Sequence, residues 1–423
     1  MTRVLISALG AGVQGSGGYK TTTYNIDGKD YTDVAFIARA LCEHYKINRL
    51  FMVGTERSIW DEVYRSFAGS ETDESTRNKL KQKTAAQNGK IDENDLLPVV
   101  EVIDSYLGNL HQPTSNCFLI KYGLNNDELM YNFDVFKRIG ECLQDGDEVY
   151  LDITHSFRSL ALFQYMMVNY LENLAERKFE VKAVLYGMFE ARDEYGDKVP
   201  VVNLIAVYEL SKWIKGMHEL REYGSGYALV ELLNAQGYEN IATELLELSE
   251  VININYLPAI RLKHGDLARN MMLPNLTGPA SIVSTYFTDF INQFANKSSD
   301  YEFQMEMACW YFKNRRYATG YIVLYEALIT RLCEIYELDA KSKVTRDEAI
   351  IRLIESKEGK YKKLKRIRER LVIIRNDIAH VRDRNNDYHK DISDWETLVN
   401  NVNDLCKSLE ANEKKRQNKV LDS

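Results

Sequence analysis

No two of the six cysteines stand as C-x-x-C, and no histidine sits at zinc-finger spacing from them. Neither a metal knuckle nor a disulfide framework is indicated by that pattern. The scattered single thiols Cys42, Cys117, Cys142, Cys309, Cys333 and Cys406 fit a reducing cytosol. Nowhere does the chain approach the ~18 apolar residues that a membrane helix needs. Met1-Thr2-Arg3 leads directly into an apolar run, too short and too strand-like for a signal peptide. The expected location is cytoplasmic, without membrane contact. Excess positive charge is missing too. A net charge of −8 argues against a protein that coats nucleic acid, while leaving room for a local basic site. What remains is the composition of a globular protein, 45% hydrophobic and 27% charged. Its 423 residues suggest two or three domains.

The first half alternates strands with helices. Arg3 to Leu9 reads as a buried strand, Tyr31 to Tyr45 as a helix, and Arg49 to Val53 as the next strand, ending at Gly54-Thr55. Val99 to Ile103, Cys117 to Tyr122, Glu148 to Thr154 and Val181 to Tyr186 are further strand candidates, and Ser156 to Arg177 is a long helix. Such alternation implies a largely parallel sheet with helices on both faces. The polar stretch 69–96 interrupts it as a solvated excursion, with a mobile helix as one reading. After Leu204 the pattern is helical almost to the end, with joints at 221–228 and 271–281 and a frayed tail after Glu410. The organisation is an α/β domain over 1–206, a helical connector over 207–298 and a C-terminal helical domain over 299–423.

The first strand runs into Gly10-Ala11-Gly12-Val13-Gln14-Gly15, formally G-x-G-x-x-G. A dinucleotide-binding fingerprint would open a helix at the third glycine and place an acid after the second strand. Here fifteen turn-like residues intervene before Tyr31, and the second strand ends in Val53-Gly54-Thr55. Bound NAD or FAD is therefore not expected. Glycines still let backbone N–H groups approach a polar ligand at the carboxyl end of a parallel strand.

A second loop is expected on the same edge. Asp152-Ile153-Thr154-His155-Ser156-Phe157-Arg158 ends one strand and opens the next helix, with Thr154 and Ser156 as candidate N-caps. Donors at that helix N-terminus, opposite a glycine loop, suit a phosphate-bearing or nucleobase-bearing ligand. The plainer alternative is that His155 and Arg158 only pair with Asp152 and cap the helix. A strand ending in D-x-T-H-x-x-R, after a first-strand glycine loop and a second-strand Gly-Thr, resembles the CARF domain of CRISPR-associated proteins. The resemblance covers roughly residues 1–205. It implies a Rossmann-like sensor for cyclic oligoadenylates, dimerised so that two copies of these loops form one cradle. It also implicates Gly10, Gly12, Gly54, Thr55, Thr154, His155 and Arg158 in ligand binding, with Asp152 orienting them.

Near the C-terminus, Tyr361 to His380 reads YKKLKRIRERLVIIRNDIAH. Leu364, Ile367, Leu371, Ile374 and Ile378 form an apolar stripe at helical spacing. The polar side carries Lys360, Lys362, Lys363, Lys365, Arg366, Arg368 and Arg370 against Glu369 alone, a candidate RNA-binding face. The run leads into Arg375-Asn376-Asp377-Ile378-Ala379-His380. R-x4-H spacing alone is weak, since Arg384 and His389 repeat it nine residues on, but in loop-like sequence. On an amphipathic basic helix the motif resembles the HEPN ribonucleases. That match spans about 300–410, with Tyr317 to Tyr336 as a partner core helix. The order of the two domains resembles the auxiliary ribonucleases of type III CRISPR systems.

The chemistry is intelligible from the residues. RNA can be cut by its own 2′-OH, so no metal-held water and no cofactor is required. A histidine near its ordinary pKa of ~6.5 can take or give the proton. Arg375 can neutralise the phosphorane, and Asn376 can hold a tautomer or a phosphate oxygen. On an ideal helix positions 375 and 380 diverge by roughly 140°, whereas Asn376 and His380 share a face. A composite site across a two-fold answers that geometry and matches what the resemblance implies. The expectation is a homodimer or higher oligomer that cuts single-stranded RNA when cyclic tetra-adenylate, or cyclic hexa-adenylate as second choice, binds the paired N-terminal domains. Two alternatives stand beside it: a ligand-sensing regulator without nuclease activity, and an N-terminal site that degrades its own cyclic ligand.

Overall fold

Along the first strand, side chains alternate between two apolar cores. Leu5 and Leu9 belong to one, Val4 and Ile6 to the other. The next strand repeats this, with Leu50 and Met52 on one face and Phe51 and Val53 on the other. A strand buried on both faces has to sit inside a sheet covered by helices on both sides. The computed structural model describes residues 2–10, 14–15, 18–85, 91–109, 114–155, 158–174, 177–270, 276–356, 361–379 and 388–421. They form two compact units, Met1–Tyr208 and Glu209–Ser423.

The strands of the first unit are β1 (Arg3–Leu9), β2 (Gln14–Gly15), β3 (Gly18–Tyr19), β4 (Thr22–Ile26), β5 (Lys29–Val34), β6 (Arg49–Thr55), β7 (Asn116–Ile120), β8 (Glu148–Asp152), β9 (Glu180–Gly187) and β10 (Lys198–Asn203). An 8-stranded sheet has the order β5-β4-β10-β9-β8-β1-β6-β7, and β2 and β3 pair as a separate small hairpin. From β7 to β9 every neighbour is parallel. The β4–β5 hairpin and β10 extend the sheet with antiparallel and parallel pairings. The chain crosses from β1 to β6 on one side and returns to β8 on the other. Such a reversal of strand order leaves a crevice at the carboxyl ends of β1 and β8. Helices Ile37–Tyr45, Trp60–Ala68 and Leu97–Leu107 cover one face; Asn126–Cys142 and Arg158–Leu174 cover the other.

Three expectations change here, and one, the helix in the excursion, is made specific. Tyr31 to Val34 is strand β5, and the helix begins only at Ile37. The β-branched run at Val99–Ile103 is helical: Pro98 sits in the first turn of Leu97–Leu107, and Val99, Val100 and Ile103 share its buried face. The excursion 69–96 contains the helix Glu74–Ala85, which rests on Trp60–Ala68 through buried Leu80. The tail does not fray at Glu410, because Trp395–Leu421 is one helix. Glu410 pairs with Lys414 at i, i+4 (3.0 Å) and with Arg331, which holds the helix past that point.

In the second unit one continuous apolar core runs from Trp213 to Leu409. The connector and the C-terminal helices therefore share a core. Within the C-terminal part, Asp300–Lys313, Tyr317–Ile335, Lys343–Glu355, Lys362–Ala379 and Trp395–Leu421 are the principal helices. Leu364, Ile367, Leu371 and Ile374 are buried, each such burial being worth ~1.5–3 kcal/mol. The stripe stops one turn earlier than the sequence suggests, since Ile378 is 39% exposed.

Candidate functional site

Strand register builds the N-terminal site. Ser7 on β1 lies opposite Asp152 on β8. The Ser7 hydroxyl donates to Asp152 Oδ2 at 2.6 Å, and the Thr154 amide donates to Oδ1 at 2.9 Å. Asp152 is fully buried, so both carboxylate oxygens are held by donors inside the fold. The Thr154 hydroxyl accepts the Gly187 amide at 2.8 Å and so ties the β8 loop to the end of β9. Helix Arg158–Leu174 begins just beyond.

His155, like Thr154, is partly exposed. Its Nε2 lies 3.3 Å from the Tyr24 hydroxyl, and its ring tilts against Phe189 at 6.0 Å. Tyr24 meets Phe189 edge-on at 5.8 Å. Burial pushes the Asp152 carboxyl up and the His155 imidazole down, each opposed by the charge of the other. His155 is therefore neutral near pH 7. With Tyr24 donating to Nε2, the ring proton is assigned to Nδ1. Burial also pushes the Tyr24 phenol well above its ordinary range, which keeps it a donor.

The glycine loop meets this cluster backbone to backbone. A Cβ built on Gly10 would lie 2.9 Å from the His155 carbonyl oxygen. Only glycine lets the two loops approach this closely. Gly54 and Thr55 act one layer further in. A Cβ on Gly54 would strike the Trp60 ring at 2.7 Å. Thr55 is buried, its amide donates to Ser58 Oγ at 2.9 Å, and its hydroxyl lies 3.3 Å from the same oxygen. The Ser58 hydroxyl in turn donates to Leu9 O at 2.7 Å. Both residues thus brace the turn against the end of β1, and the polar atoms of Thr55 face Ser58. Gly12 lies outside the described residues, as does the side chain of Arg158. Asp152 lies buried beneath these residues, bound to Ser7 and Thr154. Ser7, Tyr24 and Phe189 are residues of this cluster missed in the sequence. Tyr24 was detectable in T-T-Y-N-I, where alternation turns Tyr24 and Ile26 inward; Phe189 left no local signal.

In the C-terminal unit, Arg375 is exposed on Lys362–Ala379. Its guanidinium lies 5.7 Å over the Tyr325 ring on the partner helix, and its Nη1 reaches Asn376 Oδ1 at a long 3.5 Å. His380 and Arg384 lie outside the described residues, as does the side chain of His389. Part of the basic run is structural. Lys365 donates to the Ile354 and Ser356 carbonyls at 2.7 and 2.6 Å, closing the end of Lys343–Glu355. Arg370 bridges Asp391 (2.7 Å) and Asp394 (3.3 Å), and Lys363 donates to Asn401 at 2.6 Å. Lys362 and Arg366 are exposed cations on this face with no partner given above. No group of three or more His, Cys, Asp or Glu side chains among the described residues is placed to hold a metal ion. No helix among them is long and apolar enough to cross a membrane.

Comparison with known proteins follows this division. The family model for the CARF domain of the CRISPR system endoribonuclease Csx1 matches residues 4–190. That for the second domain of CRISPR-associated protein MJ1674 matches residues 209–299. CRISPR-associated protein MJ1674 of Methanocaldococcus jannaschii is 35% identical, over 95% of this chain and 66% of its own. The chain thus spans just under two thirds of that relative's length. Among solved structures, Enterococcus italicus Csm6 bound to cyclic hexa-2′-fluoro-hexa-dAMP is 12% identical. Its alignment covers 97% of this chain and 94% of that one, with a TM-score of 0.42.

Proposed function

The chain belongs to the CRISPR-associated proteins built on a CARF domain, and from that premise we propose that it is an RNA-cutting enzyme switched on by a cyclic oligoadenylate. The observation that carries the reading is the crevice at the ends of β1 and β8. Gly10, Thr154 and His155 meet there over a buried Asp152 whose oxygens are both held. A neutral imidazole, a backbone brought close by glycine and the start of a helix offer donors and acceptors to a phosphate or a nucleobase. Arg158, the first residue of that helix, would face a ligand phosphate. Cyclic tetra-adenylate is the proposed ring, with cyclic hexa-adenylate second.

A dimer is part of the proposal. Helix Arg158–Leu174 exposes Leu162, Met166 and Tyr170 at successive i, i+4 positions, and the neighbouring Asn126–Cys142 exposes Met130 and Phe133. An apolar stripe of this kind, on the helix that leaves the crevice loop, suits a second copy of the chain. Paired crevices would form one cradle for the ring. Binding would be relayed through the connector helices to Arg375, Asn376 and His380 of both subunits, which together would hold one RNA phosphate. The RNA 2′-OH attacks, His380 moves the proton, Arg375 and Asn376 stabilise the charge, and no metal ion is needed for the step.

One assay tests this. Labelled single-stranded RNA is incubated with the protein in EDTA, with and without cyclic tetra-adenylate or hexa-adenylate. Cleavage to 2′,3′-cyclic phosphate or 3′-phosphate ends is expected only with an activator. No activator-dependent cleavage would turn the reading to a ligand-sensing regulator. Cleavage that EDTA blocks and a divalent cation restores would reject the metal-free step.

A further inference from the structure

Two helices of the C-terminal unit, Tyr317–Ile335 and Lys362–Ala379, present a tyrosine and an arginine twice, and the two pairs are bonded differently. In the first, Tyr321 and Arg370 converge on the next segment of chain. The Tyr321 hydroxyl donates to the Asp391 carbonyl, and Arg370 donates to the carboxylates of Asp391 and Asp394 at 2.7 and 3.3 Å. Further along the same two helices come Tyr325 and Arg375. Here the Arg375 guanidinium lies over the Tyr325 ring, 5.7 Å from its centroid. Its polar contact among the described residues is the long one of 3.5 Å to Asn376 Oδ1.

The mode of bonding decides what each arginine can still bind. A carboxylate grips a guanidinium through its N–H groups and uses them up. An aromatic ring attracts the charge to its π face and leaves the N–H donors unspent. Arg370 is thus tied through the donors a phosphate would need, and Arg375 is not. The ring that carries Arg375 is itself held. Tyr325 is half-buried and packs against the apolar core of the unit, with Leu324 and Leu328 buried on the same helix. A long, exposed side chain samples many rotamers, and fixing it on a phosphate costs that freedom. A fixed ring beneath the guanidinium narrows the search before RNA arrives.

The geometry points to Tyr325 as a positioning residue of the RNA-cutting site, its ring holding Arg375 in place for the phosphate that is cut. This role rests on the RNA-cutting function proposed above and adds to it a residue that acts only through Arg375. Because the ring face does the holding, the Tyr325 hydroxyl is dispensable.

Cleavage of labelled single-stranded RNA by the full chain, at saturating cyclic tetra-adenylate or hexa-adenylate, tests the role. Tyr325→Phe keeps the ring and should leave kcat within about twofold of the unaltered protein. Tyr325→Leu and Tyr325→Met remove it and should lower kcat about 3–30-fold, the range of a cation–ring attraction. The KM for RNA and the thermal midpoint should move little in both. Placed on Arg375→Ala, Tyr325→Leu should cause no further loss, since no guanidinium is left to hold. Unchanged cleavage in the two ringless variants overturns the role of Tyr325 and leaves the proposed function standing. So does Tyr325→Phe as slow as Tyr325→Leu, a loss confined to KM, or an added loss on Arg375→Ala. No activator-dependent cleavage by the unaltered chain overturns the proposed function, and the role of Tyr325 with it.

Discussion

The two candidate sites are built by opposite means. In the N-terminal crevice the polar groups around Asp152 are paired with one another: Ser7 and Thr154 hold the carboxylate, Gly187 holds Thr154, and Tyr24 faces His155. At the C-terminal site Arg375 stands exposed, with an aromatic ring beneath it and, among the described residues, one long contact to Asn376. A self-consistent hydrogen-bond network keeps its geometry in a single chain whether or not a ligand is present. An exposed cation on a helix surface takes its partner from elsewhere, here the RNA phosphate and a second subunit under the proposed function. Sensing thus rests on order already present in one chain, and cutting on order that assembly supplies.

The contrast can be broken most directly at His380. His380→Ala should lower RNA cleavage by about 10²–10⁴-fold at saturating activator, while the activator Kd measured by titration stays within about twofold. Arg158→Ala should do the reverse, raising the activator concentration needed for half-maximal cleavage and leaving the maximal rate near that of the unaltered protein. If both variants lost the same property, the division between sensing and cutting would be wrong.

A smaller effect is expected from the glycine at the crevice. Gly10→Ala forces its Cβ against the His155 carbonyl, and overpacking of this sort costs ~1–3 kcal/mol. The thermal midpoint should fall by several degrees and activator affinity with it. Asn376→Ala, half-buried on a helix surface, should barely move the midpoint. Equal losses from the two substitutions would erase the distinction between a preformed and an assembled site.

A substitution with the smallest expected effect near neutral pH sharpens the comparison from a third place. His264 is fully buried against Phe290 and Phe294, at 5.8 and 4.8 Å, with no partner for either ring nitrogen. Burial alone lowers its pKa to about 3. The unfolded chain, near the ordinary 6.5, binds the proton more readily. The folded state therefore keeps its full stability above about pH 6.5 and loses it progressively as pH falls toward 3. His264→Leu should remove that slope and leave the midpoint at pH 7.5 equal or slightly raised. Thermal unfolding of both proteins between pH 4 and 8 measures this; parallel curves would show that His264 is not the group responsible.

Much of this was legible in the sequence because it depended on neighbours along the chain. The five-strand parallel core, the long helix after β8 and the amphipathic basic helix each follow from period and capping over a dozen residues. What depended on distant partners was not. Val99 to Ile103 reads as a strand by residue type, yet Pro98 and the buried face of a helix override it. Asp152 could be placed as an orienting residue, but Ser7 could not be paired with it without the register of β1 on β8. Phe189 lies beside His155 because β9 runs parallel to β8, which sets the residues past Leu185 against those past Asp152. The basic run illustrates the opposite failure. Lys365 and Arg370 look like phosphate ligands in sequence, and the fold ties them to carbonyls and carboxylates of its own.

The approach of Gly10 to the His155 carbonyl also bears on how such a sensor could diversify. Among the described residues the two loops are indexed to each other through main-chain atoms, Gly10 against the His155 carbonyl. The amino acids that read a ligand could drift to suit another ring size or another base, and the coupling between the loops would survive each change. Recognition and relay are in that respect separable traits, free to be inherited or redesigned one at a time.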